Sequence, residues 1–153
     1  MLRLLTKVSA VLLVLFPSMA SAELPMIDRS RAGNHCEDQW TKRGSLDRRM
    51  YNYCMERQED GYSDAISLRK KYSDVADIDK IADYAGRKWL KARQYQYEMV
   101  AYEMERQIDA FLNIAYGIKS GEYSEQDVLP CLAKWYKGDE PQWDMVEYCL
   151  ERN

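Results

Sequence analysis

The chain has 153 residues and a formal net charge of −3, from 22 Lys and Arg against 25 Asp and Glu. A weakly acidic balance excludes nucleic acid and anionic lipid as main partners, because both require a basic face. The length suits one domain that buries about two-thirds of its unfolded surface.

Residues 1–22 read as a signal peptide. Arg3 and Lys7 form a short basic stretch, Val8 to Phe16 is apolar but too short to span a bilayer, and Ala20-Ser21-Ala22 supplies the small residues of a cleavage site. Cleavage after Ala22 leaves a mature chain of about 131 residues. Loss of Arg3 and Lys7 moves its charge to about −5. The expected location is periplasmic or secreted, with no membrane anchor after cleavage.

Residues 23–33 read as a flexible lead-in to a single all-α domain, 23–153. A short helix is expected from Asn34 to Arg43, with Asn34 as its cap and Gly44 as its stop. A second helix follows Ser45 and runs to about Tyr72, on a stripe that begins Met50, Tyr53, Cys54, Arg57. Gly61 inside it costs about 1 kcal/mol relative to alanine. From Val75 to Tyr116 there is no proline and only Gly86, so this stretch reads as one long helix, bent near 92–97 where the apolar stripe slips. Two helices with a tight turn is the alternative. Residues 117–121 read as a loop. A helix capped by Asp127, with Pro130 in its first turn, runs to about Gly138. The last helix starts near Pro141, with Asp139 and Gln142 as a capping box. No stretch alternates long enough for a strand. The fold class is therefore all-α: about five helices in tandem helical hairpins, with a long central helix and disulfide staples.

One pattern recurs three times. It reads Cys36-x3-Trp40-x-Lys42-x7-Met50-x2-Tyr53-Cys54-x-Glu56-Arg57, then Ala85-x3-Trp89-x-Lys91-x7-Met99-x2-Tyr102-Glu103-x-Glu105-Arg106, then Cys131-x3-Trp135-x-Lys137-x7-Met145-x2-Tyr148-Cys149-x-Glu151-Arg152. The offsets of 49 and 46 residues fall in the range of repeat architectures. Three related units follow, at about 34–72, 75–117 and 127–153.

Four cysteines in an exported chain predict two disulfides. The midpoints of Cys36–Cys54 and of Cys131–Cys149 both fall in turn-like sequence, near Gly44 and within Gly138-Asp139-Glu140-Pro141. Antiparallel helices flanking each turn bring the paired cysteines to equal height, so each outer unit is expected to hold its own bridge. Crossed pairing between the outer units is the alternative. The middle copy lacks both cysteines and the Gly/Pro turn residues, in keeping with an unbroken helix there.

Position-for-position recurrence is what a packing template produces. Trp40, Trp89, Trp135, Met50, Met99, Met145, Tyr53, Tyr102, Tyr148, Arg57, Arg106 and Arg152 therefore read as repeat-packing residues. The arginines are expected to stack on their unit's Trp or to pair with carboxylates such as Glu56, Glu105 and Glu151. His35 is the only histidine, and no H-x-x-x-H or C-x-x-C occurs, so no metal site, cofactor or catalytic residue is assigned. A carboxylate site on the long helix, from Glu98, Glu103, Glu105 and Asp109, is the enzymatic alternative. Metal handling by methionines with His35 is another.

The copies Cys36 to Gln58 and Cys131 to Arg152 resemble a motif of uncharacterised exported bacterial proteins with C-x3-W…M-x2-Y-C repeats. The resemblance covers about half of the mature chain, and the middle copy departs from it. It implies an exported bacterial origin and carries no activity. The expected role is a protein-binding or interaction protein, of inhibitor or immunity type, whose partner belongs to the cell envelope. Tyr95 and Tyr97 on the long helix are the candidate partner contacts.

Overall fold

A computed structural model describes residues 24–152. The expected signal peptide lies outside the described residues. Each unit consists of a first helix, a short β-hairpin and a second helix. The first unit is α1 (Arg29–Trp40), β1 (Thr41–Lys42), β2 (Ser45–Leu46) and α2 (Arg48–Lys71). The middle unit is α3 (Ile78–Lys88), β3 (Leu90–Lys91), β4 (Gln94–Tyr95) and α4 (Tyr97–Ser120). The last is α5 (Glu125–Trp135), β5 (Tyr136–Lys137), β6 (Glu140–Pro141) and α6 (Trp143–Leu150).

The protein is all-α apart from these two-residue strand pairs, and it carries disulfides Cys36–Cys54 and Cys131–Cys149, each inside its own outer unit. The Cα atoms are 5.7 Å apart in both, as equal height across a hairpin requires. Two disulfides indicate an oxidising, extracytoplasmic environment. Among the described residues no helix is long and apolar enough to cross a membrane.

The middle unit corrects the expectation of one bent helix. Leu90 pairs with Tyr95 and Lys91 with Gln94, the same antiparallel register as Thr41 with Leu46 and Lys42 with Ser45. The Trp89 carbonyl accepts from the Gln96 N–H at 3.0 Å, and Trp40 accepts from Asp47 in the same way. Tight two-residue hairpins need left-handed backbone at the turn. Arg43 and Gly44 supply it in the first unit with φ of 52° and 77°, and Ala92 and Arg93 supply it in the middle unit with φ of 49° and 63°. A non-glycine residue pays about 1 kcal/mol for this conformation, a cost that closure of the unit offsets.

Other boundaries shift for local reasons. Leu24 is buried in the core and the Tyr97 hydroxyl donates to the Pro25 carbonyl at 2.6 Å, so the lead-in is docked at its start. Asp28, not Asn34, caps α1 by accepting from the Arg31 N–H. Gly121 (φ 80°) ends α4, so the helix extends through most of the expected loop. Ser124 opens α5, with the Asp127 carboxylate reaching back to its N–H and hydroxyl. Asp139 lies in the last hairpin turn and caps nothing, and Gln142 precedes α6.

The core lies where the units meet. Ile78, Ile81, Ala82 and Ala85 of α3 face Val100, Met104 and Ile108 of α4, and Val146 and Leu150 of α6 close the cluster. The second helices pack in sequence, α2 on α4 and α4 on α6. At the α2–α4 crossing a Cβ on Gly61 would run into the backbone of Tyr97 and Glu98. The helix-propensity cost of this glycine thus allows the close approach of two helices.

Candidate interface on the second helices

The cap positions explain the junctions between units. Asp47 caps α2 within its own unit, accepting from the Met50 N–H at 3.2 Å. The equivalent positions before α4 and α6 are Gln96 and Gln142, and neither makes a side-chain cap. The preceding unit supplies the acceptor instead. Gln58 accepts from the Tyr97 N–H at 3.1 Å, and Gln107 accepts from the Asp144 N–H at 3.2 Å. Both glutamines are buried, so these bonds satisfy donors that would otherwise lack partners.

Each Gln follows a repeat arginine, and the arginine also reaches forward. Arg57 pairs with Glu98, and Arg106 with Asp144 at 2.9 Å. One turn on, Tyr62 meets Tyr97 edge to face at 5.0 Å, and Phe111 meets Trp143 in the same way at 5.0 Å. The repeat arginine and the glutamine that follows it are therefore a clasp between units. Sequence reasoning singles out the arginine and the nearby glutamate but assigns the two glutamines no role. Their signal was the recurrence of Gln58 and Gln107 behind the arginine, opposite a cap position that changes from Asp to Gln. The partners of the arginines are also corrected. Glu98, Glu103 and Asp144 pair with them, not Glu56 or Glu105. Arg57 and Arg152 stack on Tyr53 and Tyr148 one turn earlier, not on Trp. The carboxylate of Glu98 and the hydroxyl of Tyr53 raise the Arg57 guanidinium above its ordinary value.

The middle unit holds a buried ion cluster where the outer units hold sulfur. Glu103 stands at the position of Cys54 and Cys149 and is 1% exposed. Lys88 of α3 lies 3.0 Å from its carboxylate, Arg106 lies 3.1 Å away, and the Gln107 amide donates to it at 2.8 Å. Burial alone would raise this carboxyl. Hydrogen bonds from Lys88 and Gln107, with the charges of Lys88 and Arg106, overcome that and hold it below its ordinary value. A carboxyl held below its ordinary value between two cations is the opposite of the raised, protonated acid that glycoside hydrolysis requires. Among the described residues no three or more His, Cys, Asp or Glu are grouped to hold a metal ion.

The repeat residues divide by burial. Trp89 and Trp135 pack against the core, while Trp40 is half-buried and lines a small cleft with His35. Met50, Met99 and Met145 are half-buried. Tyr53, Tyr102 and Tyr148 face outward, at 49%, 55% and 47% exposure. The partner contact expected at Tyr97 is corrected. Its side chain is 1% exposed, and burial, then Tyr62 and Tyr95, push its phenol up to about 12. Tyr95 is half-buried against Tyr97, with ring centroids 5.7 Å apart.

Between α2 and α4 runs a groove of about 1010 Å³. Tyr53, Met99 and Tyr102 line it together with carboxylates of both helices, including Glu56 and Glu105. The outward tyrosines and the repeat glutamates of the first two units thus line one groove between α2 and α4. No family model, no curated protein and no solved structure matches the chain.

Proposed function

We propose that this chain is an exported, periplasmic or secreted, protein-binding module of inhibitor or immunity type, and that its contact surface is the tyrosine-bearing face of α2, α4 and α6. One observation carries the reading. The repeat keeps tyrosine at a position that is about half exposed in all three units. Core packing explains the retained Met and the core-facing Trp positions, but it does not require a large ring in solvent. Exposed tyrosines beside a groove supply what interfaces use: broad rings with a polar tip and little side-chain entropy to lose. The Tyr53 and Tyr148 hydroxyls also accept hydrogen bonds from Arg57 and Arg152, which places a guanidinium beside each of these two rings. The signal-like residues 1–22 and the two disulfides support export.

A photo-reactive residue in place of Tyr102 tests this reading in envelope extract. The expected result is a protein adduct that unlabelled wild-type chain competes away and that is missing when the probe replaces Lys119. Adducts of equal yield from both positions, or from neither, contradict it.

A further inference from the structure

We propose that the groove between α2 and α4 receives a lysine- or arginine-bearing amphipathic helix of the partner protein. This rests on the reading of the tyrosine face as a protein-binding surface. The floor of the groove is apolar or small, with Gly61, Leu68, Met99 and Ala101. Its edge is set by the rings of Tyr53 and Tyr102. Its charge is one-sided, with five carboxylates against Arg57 and Lys71. Arg57 is already engaged by Glu98, so four carboxylates face outward against one lysine.

Those four are ordered. Glu56, Asp60 and Asp64 follow one another at four-residue spacing along α2, which places them in one row. Glu105 stands across the groove on α4. The groove-lining stretch of α2 from Tyr53 to Lys71 is about 27 Å long at 1.5 Å per residue, the length of a five-turn helix. Both walls are helices, whose backbone groups are bonded internally, so no strand edge is offered and recognition passes through side chains. A partner helix with apolar residues toward the floor and cations at three- and four-residue spacing meets all of these features. Its charges answer the row on α2, and its apolar face covers Met99 and the two rings.

The test uses a synthetic amphipathic helical peptide carrying lysines and leucines, its glutamate counterpart, and spermine. Titration calorimetry measures affinity, and amide shifts of the folded, disulfide-bonded chain locate binding. The expected result is binding of the lysine peptide that weakens with salt, with shifts along α2 and α4. The glutamate peptide does not bind. Charge reversal at Asp60→Lys with Asp64→Lys weakens the lysine peptide by about tenfold. Reversal of the same size at exposed Glu37→Lys with Asp38→Lys, outside the groove, changes it by less than about twofold. Circular dichroism confirms that both variants fold. No binding of the lysine peptide, equal weakening by both reversals, shifts away from α2 and α4, or spermine binding as tightly as the peptide each overturns the proposal. Cross-linking at Tyr102 together with failure of the lysine peptide overturns the cationic helix and leaves the wider reading standing.

Discussion

In the outer units a disulfide joins the first helix to the second, at Cys36–Cys54 and at Cys131–Cys149. In the middle unit Ala85 and Glu103 hold those two positions, and Lys88, one turn beyond Ala85, reaches across to Glu103. The hairpins between the helices have the same register in all three units. The shape of a unit is therefore set by its hairpin and its packing, and the cross-link can be made from either chemistry. The two chemistries differ in when they act. A disulfide restricts the unfolded chain at any pH. An ion cluster acts in the folded state and depends on the charge of Glu103. The middle unit is also the one with a neighbour on both sides, through α2 and α6, so packing supports it where covalent closure does not.

Removing the first disulfide with Cys36→Ser and Cys54→Ser is the largest expected change. The loop spans 18 positions, and opening it costs about 3 kcal/mol in the chain-entropy model. Denaturant unfolding measures this, and a loss below about 1 kcal/mol would mean that α1 and α2 are held by packing alone. Next is Glu103→Ala, expected to cost about 2 kcal/mol. That is below the figure for a wholly buried pair, because Lys88 and Arg106 keep contact with solvent. The same residue gives a pH signature. Its carboxyl is lowered in the folded state, so its contribution is complete above the ordinary carboxylate value of about 4. The contribution disappears as pH falls through the lower folded-state value. Melting of wild type and Glu103→Gln followed together into acid should show the gap between them closing, whereas a constant gap would show that charge plays no part.

Smaller effects separate the junctions from the surface. Gln107→Leu is expected to cost about 1.5 kcal/mol and Gln58→Leu about 1 kcal/mol. Both variants lose a helix cap, and Gln107 also bonds Glu103 and Asp144. Equal and negligible losses would show that water caps α4 and α6 as well as the glutamines do. Tyr102→Ala is the smallest, about 0.5 kcal/mol, as expected for an exposed side chain. A loss above about 2 kcal/mol would mark it as a packing residue.

The disulfide pairing was legible because it follows from symmetry. Two cysteines equidistant from a turn, in two copies, meet across a helical hairpin. The middle hairpin was not legible from turn chemistry, since Ala92 and Arg93 carry no glycine signal, and an apolar stripe with few breakers resembles one helix. The better signal was spacing. Trp89 to Met99 is as long as Trp40 to Met50, and a straight helix in place of a hairpin would have carried the second half of the unit far from the first. Exchange of Cys54 for Glu103 read as loss of a cross-link, because nothing in a single position shows that Lys88 will lie opposite. The Tyr face was visible as recurrence but not as exposure. A repeated aromatic residue looks the same in sequence whether it fills a core or meets solvent. Burial of Tyr97 had the reverse cause. It opens α4 beneath the clasp from the first unit, a position that only the hairpin creates.

The most direct measurement is a thiol count on Ala85→Cys with Glu103→Cys. These positions are 18 apart, as in both native bridges. Equivalence of the three units requires a third disulfide to form on oxidation, with mass spectrometry showing 85 joined to 103 and no free thiol. Two free thiols in the folded, oxidised chain, or scrambling of the new cysteines with the native ones, would contradict a middle unit built on the same plan as its neighbours.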